Sequence, residues 1–216
     1  MLIGISGMIS SGKSTLAKGL VKYFNNSILL EEFEEDDPIF NTFLKWMYQN
    51  EPNINIAFQT YIIENLEAKL QKTIEEAKTK KIDYIFLDRF NLEHYIFAFV
   101  TLKNKPLKYL KAFDALFHEL VNKNENPDLA IFLDIDFATF KKRLFKRNRK
   151  SEIVNYEKNE AYFKELHSLY KLFYIKLMQQ YEIPYFIINT NGKNNEEVLD
   201  EAIDLIENFK TNKKSL

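Results

Sequence analysis

Residues 7–14 read Gly7-Met8-Ile9-Ser10-Ser11-Gly12-Lys13-Ser14 and match the phosphate-loop pattern G-x-x-x-x-G-K-[ST]. An apolar run precedes them and a helical pattern follows, so the stretch is predicted to connect a buried strand to a helix. In that context the backbone N–H groups form a nest for phosphate oxygens, and the helix N-terminus adds a partial positive charge. The sequence therefore predicts a site for a nucleoside triphosphate.

The side chains of this loop have separate predicted roles. Lys13 is expected to neutralise the β and γ phosphates of ATP, and the Ser14 hydroxyl is expected to be a ligand of Mg²⁺. The chain has five glycines, most of them within its first nineteen residues, which argues against a chance match. The predicted ATP phosphate-binding residues are Gly7, Met8, Ile9, Ser10, Ser11, Gly12, Lys13, Ser14 and Thr15.

Length and composition limit the class of protein. The 216 residues, 46% of them hydrophobic, predict one domain over residues 1–216. A net charge of −1 gives no overall field that attracts nucleic acid or membranes. Cysteine is absent, so disulfides and thiolate metal sites are excluded. We find no signal-peptide pattern after Met1 and no apolar run of about 18 residues. We therefore expect a cytoplasmic protein that binds neither nucleic acid nor membranes.

Strand and helix patterns alternate along the whole chain, which predicts an α/β protein. The expected architecture is a P-loop kinase fold, with a five-stranded parallel sheet flanked by helices and an Arg-rich lid. Ligands of such sheets bind at the carboxyl ends of the strands. The predicted strands are residues 2–6, 27–31, 84–88, 129–134 and 185–188. The predicted helices are residues 13–24, 39–48, 54–80, 92–102, 107–122, 137–146, 157–181 and 195–209.

Acidic residues follow the second predicted strand. Glu31 ends this strand beside the phosphate loop, where a carboxylate can hold an attacking hydroxyl or take its proton. Residues 34–37 are interpreted as a solvated acidic loop, with Asp36 or Asp37 capping the helix that starts near Pro38. Glu31 is therefore the candidate catalytic carboxylate.

The third predicted strand ends in Asp88-Arg89. In a phosphate-loop protein an acidic residue here typically reaches the Mg²⁺ shell, and Arg89 would face the reacting centre. The alternative is an ordinary salt bridge at the end of a strand.

A polar residue interrupts the apolar stripe of the long helix after Pro52. Gln59 shares a helix face with Ile63, Leu66 and Leu70, so its amide needs a partner. That partner is either neighbouring backbone or the edge of a nucleobase, which can pair with an amide through one donor and one acceptor. Tyr48, eleven residues earlier, fits a core residue, a lid residue or a sugar contact.

A basic cluster at residues 141–150 follows the fourth predicted strand. Arg143 and Arg147 lie one helical turn apart and Arg149 follows, so the three can converge on one anion. We interpret residues 143–153 as a lid that neutralises the transferring phosphoryl group. A solvated face or a nucleic-acid patch is the alternative, but the rest of the chain offers no matching basic surface.

Taken together, these motifs resemble the deoxyribonucleoside kinase family from the phosphate loop to the final helix. The resemblance implies transfer of the ATP γ-phosphoryl group to the 5′-hydroxyl of a deoxynucleoside, as in nucleotide salvage. By the same resemblance Glu31 is the catalytic carboxylate with Arg89 beside it, and a homodimer is expected. Tyr48 and Glu152 would hold the sugar 3′-hydroxyl, Gln59 would read the base and Phe97 would stack on it.

Some positions depart from the family pattern. Glu32 stands where the family usually has proline, and Phe90 replaces a small hydroxyl residue. Purine-preferring relatives tend to carry arginine and aspartate where this chain has Leu66 and His94. That difference mildly favours pyrimidines, although His94 could contact the base itself.

Two alternative functions are considered. A nucleoside monophosphate kinase such as a thymidylate kinase shares the phosphate loop, the Asp-Arg pair and the lid. It should carry a basic residue near the second strand for the acceptor phosphate, where this chain has Glu31 and Glu32. A non-enzymatic ATP-regulated binding module would bind ATP without forming ADP in response to an acceptor.

Overall fold

We analysed a computed structural model of the chain, in which residues 1–32, 37–148, 153 and 156–214 are described. The described strands form one sheet in the order β2-β3-β1-β4-β5, and every neighbouring pair is parallel. β1 is therefore central, with β3 on one side and β4 on the other. The strands are β1 Leu2–Gly7, β2 Ser27–Glu31, β3 Tyr84–Asp88, β4 Leu129–Asp134 and β5 Tyr185–Asn189.

Helices connect the strands and cover both faces of the sheet. In the described part of the chain they are α1 Lys13–Tyr23, α2 Pro38–Tyr48, α3 Asn55–Lys80, α4 Glu93–Leu102, α5 Leu107–Leu120, α6 Phe137–Arg147, α7 Tyr156–Gln180 and α8 Asn195–Lys214. The predicted parallel α/β architecture is confirmed, with element ends shifted by a few residues. The main difference is α8, which continues to Lys214 instead of ending near 209.

The two faces of the sheet bury different helices because strand side chains alternate. Ile3, Ile5 and Phe86 pack with α1 and α8 on one face. Ile85 and Leu87 point the other way, into a larger core that includes α3, α4 and α7. The strands thus bury both faces, as a parallel sheet requires, and their carboxyl ends form an edge for ligands.

The start of α2 confirms one local prediction. Asp37 Oδ1 accepts hydrogen bonds from the backbone N–H groups of Ile39 and Phe40, both at 2.9 Å. Asp37 is therefore the N-cap that satisfies free amides of the first turn. Glu34, Glu35 and Asp36 lie outside the described residues.

The departure at Phe90 is explained by packing. Phe90 is buried, and a Cβ atom added to Gly4 would lie 2.7 Å from its ring carbon Cδ1. The missing side chain of Gly4 therefore makes room for the aromatic ring directly after Arg89.

The neighbouring carboxyl groups of Glu67 and Glu125 predict a pH effect on stability. Burial raises the pKa of Glu67 to about 7, and its hydrogen bond to Glu125 and the Glu125 charge act in the same direction. The pKa of Glu67 is higher in the folded than in the unfolded chain. Its contribution to the free energy of unfolding is therefore fully present below pH 4.5 and is lost as the pH rises towards 7. Solvent screening weakens the effect at this partly exposed side chain.

Glu67→Gln tests this expectation. The variant should lose most of the fall in Tm between pH 5 and pH 8, which we expect to be about 2–4 °C for a chain of this size. Glu64→Gln, at an exposed position of the same helix, is the matched control and should keep the wild-type pH dependence. Equal pH dependence in wild type and Glu67→Gln, measured by thermal denaturation, would contradict the prediction.

Candidate active site

The phosphate loop has the geometry that its sequence predicts. Gly7 has φ 141° and Gly12 has φ 106°, conformations that L side chains rarely adopt. A Cβ on Gly7 would also lie 2.7 Å from the Leu133 carbonyl oxygen. Ser14 and Thr15 are exposed on the first turn of α1, where free backbone N–H groups favour an anion. The first turn of α1 thus opens towards solvent, whereas the N–H groups of Gly7 and Ser11 are bonded within the protein.

Lys13 is folded back onto this loop. Its Nζ donates to the carbonyl oxygens of Gly7 at 3.1 Å and Met8 at 3.3 Å. Burial lowers the pKa of Lys13 to about 8, and the nearby Arg89 charge acts in the same direction. A phosphate anion in the loop would stabilise the charged ammonium group, so a bound triphosphate would raise the pKa of Lys13 and keep it positively charged.

A cleft with a volume of about 400 Å³ lies next to the loop. The ends of β2 and β3 form its floor, and α2, α3, α4, α6 and α7 contribute to its walls. Its size is that of a small-molecule site. The apolar part of the wall consists of Phe40, Leu44, Met47, Phe58 and Ile62.

The two carboxylates at the end of β2 occupy different environments. The side chain of Glu31 is 48% exposed and pairs with Lys18 Nζ at 2.9 Å. The side chain of Glu32 is 11% exposed, and both its oxygens accept hydrogen bonds from Arg89 Nη1, at 2.6 and 2.7 Å. Both residues line the cleft, but Glu32 is the one inside it. The sequence analysis predicted Glu31 as the candidate carboxylate, whereas the geometry favours Glu32.

Arg89 is anchored in the cleft by several contacts. Besides Glu32 it contacts the Gly7 carbonyl oxygen through Nη2 at 3.2 Å, and its Cζ lies 4.8 Å from the centre of the Phe97 ring. Arg89 also has φ 70°, an uncommon conformation for a residue with a side chain. Although burial opposes the charge, Glu32 and neighbouring anions raise the pKa of Arg89 well above its usual value. Arg89 thus connects the phosphate loop to Glu32 at the end of β2.

Glu93 is a buried carboxylate that the sequence analysis did not identify. Its Oε2 accepts hydrogen bonds from the Gly7 N–H at 3.2 Å and the Tyr170 hydroxyl at 2.6 Å, and lies 3.7 Å from Arg89 Nε. Burial raises the pKa of Glu93, while Arg89 and Lys13 oppose that shift. Glu93 therefore holds the start of the phosphate loop and Arg89 together.

Gln59, His94 and Phe97 lie together at the wall formed by α3 and α4. Burial holds the pKa of His94 well below its usual value, and Arg89 adds to this effect, so the ring is neutral. His94 Nδ1 lies 3.3 Å from Gln59 Oε1; because that oxygen can only accept, Nδ1 is the donor. The Gln59 oxygen thus contacts His94, not neighbouring backbone. Tyr48, at the end of α2, is also buried and lines the cleft.

Asp88 is the candidate metal residue. It is buried at the end of β3, and its Oδ1 has no hydrogen-bond partner within the described ranges. The described residues contain no group of three or more His, Cys, Asp or Glu side chains that could hold a metal ion. A single free carboxylate oxygen beside a phosphate loop fits Mg²⁺, which typically takes one or two protein ligands together with substrate phosphates.

The predicted lid is described only in part. Arg143 Nη1 donates to the Ser11 carbonyl oxygen at 2.9 Å and to Thr190 Oγ1 at 3.1 Å, so it is anchored between the phosphate loop and the end of β5. Arg147 lines both the cleft and a second recess of about 570 Å³ next to α1. Arg149 and Glu152 lie outside the described residues. Of the predicted lid, Arg143 and Arg147 are therefore located beside the phosphate loop.

The cleft also contains a residue that the sequence analysis did not identify. Tyr162, on α7, lines the cleft. Its helical spacing matches that of the neighbouring core aromatics, so no local signal distinguishes it.

No helix in the described ranges combines the length and apolar character needed to cross a bilayer.

Comparisons with known proteins agree with this geometry. The family model described as deoxynucleoside kinase matches residues 3–211. The MG268 homolog of Mycoplasma pneumoniae is 31% identical over 206 residues, covering 94% of this chain and 87% of that protein. Deoxyguanosine kinase of Lactobacillus johnsonii is 26% identical over 183 residues, covering 81% and 77%. A solved structure of deoxyadenosine kinase from M. mycoides, with products dCMP and a flexible dCDP bound, has TM-score 0.75 at 22% identity and covers 96% of this chain and 100% of that one. This likeness confirms the predicted P-loop kinase fold.

Proposed function

Because the chain belongs to the deoxynucleoside kinase family and is an ATP-dependent kinase of deoxynucleosides, we propose that Glu32 is the carboxylate that receives the acceptor 5′-hydroxyl. The observation that carries this proposal is the buried Glu32–Arg89 pair beside the phosphate loop. Two carboxylates at this end of the cleft would repel a 5′-phosphate, so the acceptor is expected to arrive uncharged. Family membership decides against the monophosphate kinase and the non-enzymatic module.

The proposed step is in-line transfer of the ATP γ-phosphoryl group to the 5′-oxygen. In a loose transition state the acceptor proton leaves late, so Glu32 mainly orients the hydroxyl and then accepts its proton. Arg89 fixes the Glu32 carboxylate, while Lys13 and Arg147, with Arg143 and Arg149, would stabilise charge on the transferring group. Closure of the lid would exclude water that would otherwise hydrolyse ATP.

We propose Mg²⁺ as the metal of this site, held by Ser14 and by Asp88, partly through water. The free buried Asp88 Oδ1 supports this assignment. When bound, the ion would neutralise and orient the phosphates of ATP.

The nucleoside is proposed to bind along the cleft with its base against α3 and α4. Gln59 and His94 would contact the base edge and Phe97 its face, while Tyr48 and Glu152 would hold the 3′-hydroxyl. The similar proteins include a deoxyguanosine kinase, so the mild preference for pyrimidines stays a prediction. Further proposals are that residues 1–216 form one domain, that the protein is cytoplasmic and that it is a homodimer.

The experiment is an ADP-release assay with the four deoxynucleosides and, in parallel, their 5′-monophosphates. We expect ADP formation with one or more deoxynucleosides and only background with the monophosphates. Omitting Mg²⁺ should abolish the reaction. Preferred phosphorylation of a monophosphate would contradict the proposed acceptor, and light scattering after gel filtration would test the dimer.

A further inference from the structure

The Tyr162 hydroxyl is a polar group without a partner in the described part of the protein. The residue lines the cleft, and its hydroxyl oxygen is buried with no hydrogen bond to any described residue. A buried hydroxyl without a partner destabilises the folded protein, so such groups are uncommon in native structures. Where one faces a ligand cleft, a bound ligand can supply the missing partner.

The position of Tyr162 in the cleft is fixed by its neighbours on α7. Asn159 Nδ2 donates to the Tyr48 carbonyl oxygen at 3.1 Å, which ties this part of α7 to the end of α2. The Phe163 ring packs 5.9 Å from the Tyr48 ring. Tyr162 lies three residues after Asn159 and therefore on the same side of the helix. The part of α7 from which Tyr162 reaches the cleft is thus held against the end of α2.

The phenol is a hydrogen-bond donor under ordinary conditions. Burial raises the pKa of Tyr162, and the nearby Arg89 charge only partly opposes this shift. The group that completes the site must therefore offer an acceptor oxygen or nitrogen. Base contacts in the proposed pose come from α3 and α4, whereas Tyr162 comes from α7, beside Tyr48. The sugar is consequently the part of the nucleoside that faces it.

We propose that the Tyr162 hydroxyl donates a hydrogen bond to a deoxyribose hydroxyl oxygen of the acceptor nucleoside. This inference rests on the proposed function and adds a binding residue to the same site. Because the hydroxyl has no partner among the residues that the structure describes, its contribution appears only when the nucleoside is bound. Tyr162→Phe keeps the ring, so it removes this contact and little else.

Tyr162→Phe should raise KM for the deoxynucleoside about 3- to 10-fold, the effect of one neutral hydrogen bond. KM for ATP should stay unchanged, and Tm should equal or exceed that of the wild type. A purely structural role predicts the opposite pattern, with a lower Tm and no selective change in KM. Tyr174→Phe, the same substitution in the buried part of α7, is the matched control and should leave both KM values unchanged.

Nucleoside analogues identify the atom involved. In thermal-shift titrations, wild type and Tyr162→Phe should bind the deoxynucleoside with different affinities. They should bind one of its two analogues, the 3′-deoxy or the 5′-deoxy compound, with equal affinity, because that analogue lacks the hydroxyl that Tyr162 contacts. A difference that persists with both analogues would overturn the sugar assignment, and an active variant with unchanged KM for the nucleoside would overturn the inference. A wild-type protein that forms no ADP with any deoxynucleoside would instead contradict the proposed function.

Discussion

Glu32→Gln is expected to lower kcat for nucleoside phosphorylation by about 10²- to 10⁴-fold, the usual contribution of a positioned acid–base group. Glutamine has nearly the shape of glutamate but can neither accept the 5′-hydroxyl proton nor pair as an anion with Arg89. Binding of ATP should survive because Lys13 and the phosphate loop are untouched. Steady-state kinetics together with ATP-induced thermal shifts would measure the two effects separately.

Glu31→Gln is the matched control for this substitution. It makes the same chemical change one residue earlier, at a side chain that is half exposed and paired with Lys18. Exposed pairs contribute little, so this variant should keep most of the wild-type kcat. A large loss of kcat in Glu31→Gln together with near-normal turnover in Glu32→Gln would return the catalytic role to Glu31.

Arg89→Lys is expected to cause the second large loss, about 10²-fold or more in kcat, although the positive charge is kept. Lysine is a point charge and cannot make the several fixed contacts of a guanidinium group. Arg89 uses separate nitrogens for Glu32 and for the Gly7 carbonyl oxygen, and its Cζ lies 4.8 Å from the centre of the Phe97 ring. The variant should therefore misplace Glu32 relative to the acceptor.

Arg89→Lys should also reduce stability, because Glu32 and the fully buried Glu93 would share a less well-placed partner. Removing one partner of a buried ion pair costs about 3–5 kcal/mol, so Arg89→Met should unfold at a lower temperature than Arg89→Lys. Thermal denaturation tests this order. A lysine variant with wild-type kcat would show that the fixed guanidinium geometry is not required.

Glu31 and Glu32 show where sequence reasoning reaches its limit. The end of the second strand was located correctly, since β2 ends at Glu31 and pairs there with Asp88. Consecutive residues of an extended chain point in opposite directions. The choice of whether Glu31 or Glu32 points into the cleft is therefore a matter of a single residue along the chain. That choice depends on the register of β2 and on Arg89, fifty-seven residues away in the chain.

Long-range contacts explain the other residues that were missed. Glu93 acquires its role through Gly7 and Tyr170, at separations of 86 and 77 residues. Tyr162 follows the same helical spacing as the core aromatics around it, and only the packing of α7 in the tertiary structure brings it to the cleft. Gln59 was recognisable as a polar misfit, but its partner His94 was not.

By itself the sequence determined the phosphate loop, the alternation of strands and helices, and the strand ends at which a site forms. Each of these depends on local patterns: a glycine spacing, an apolar period or a cap. The tertiary structure alone decided which carboxylate faces Arg89, which buried acid joins the loop to that arginine, and that Tyr162 of α7 lines the cleft. Those outcomes depend on strand register and helix packing, which bring together side chains that no local pattern relates.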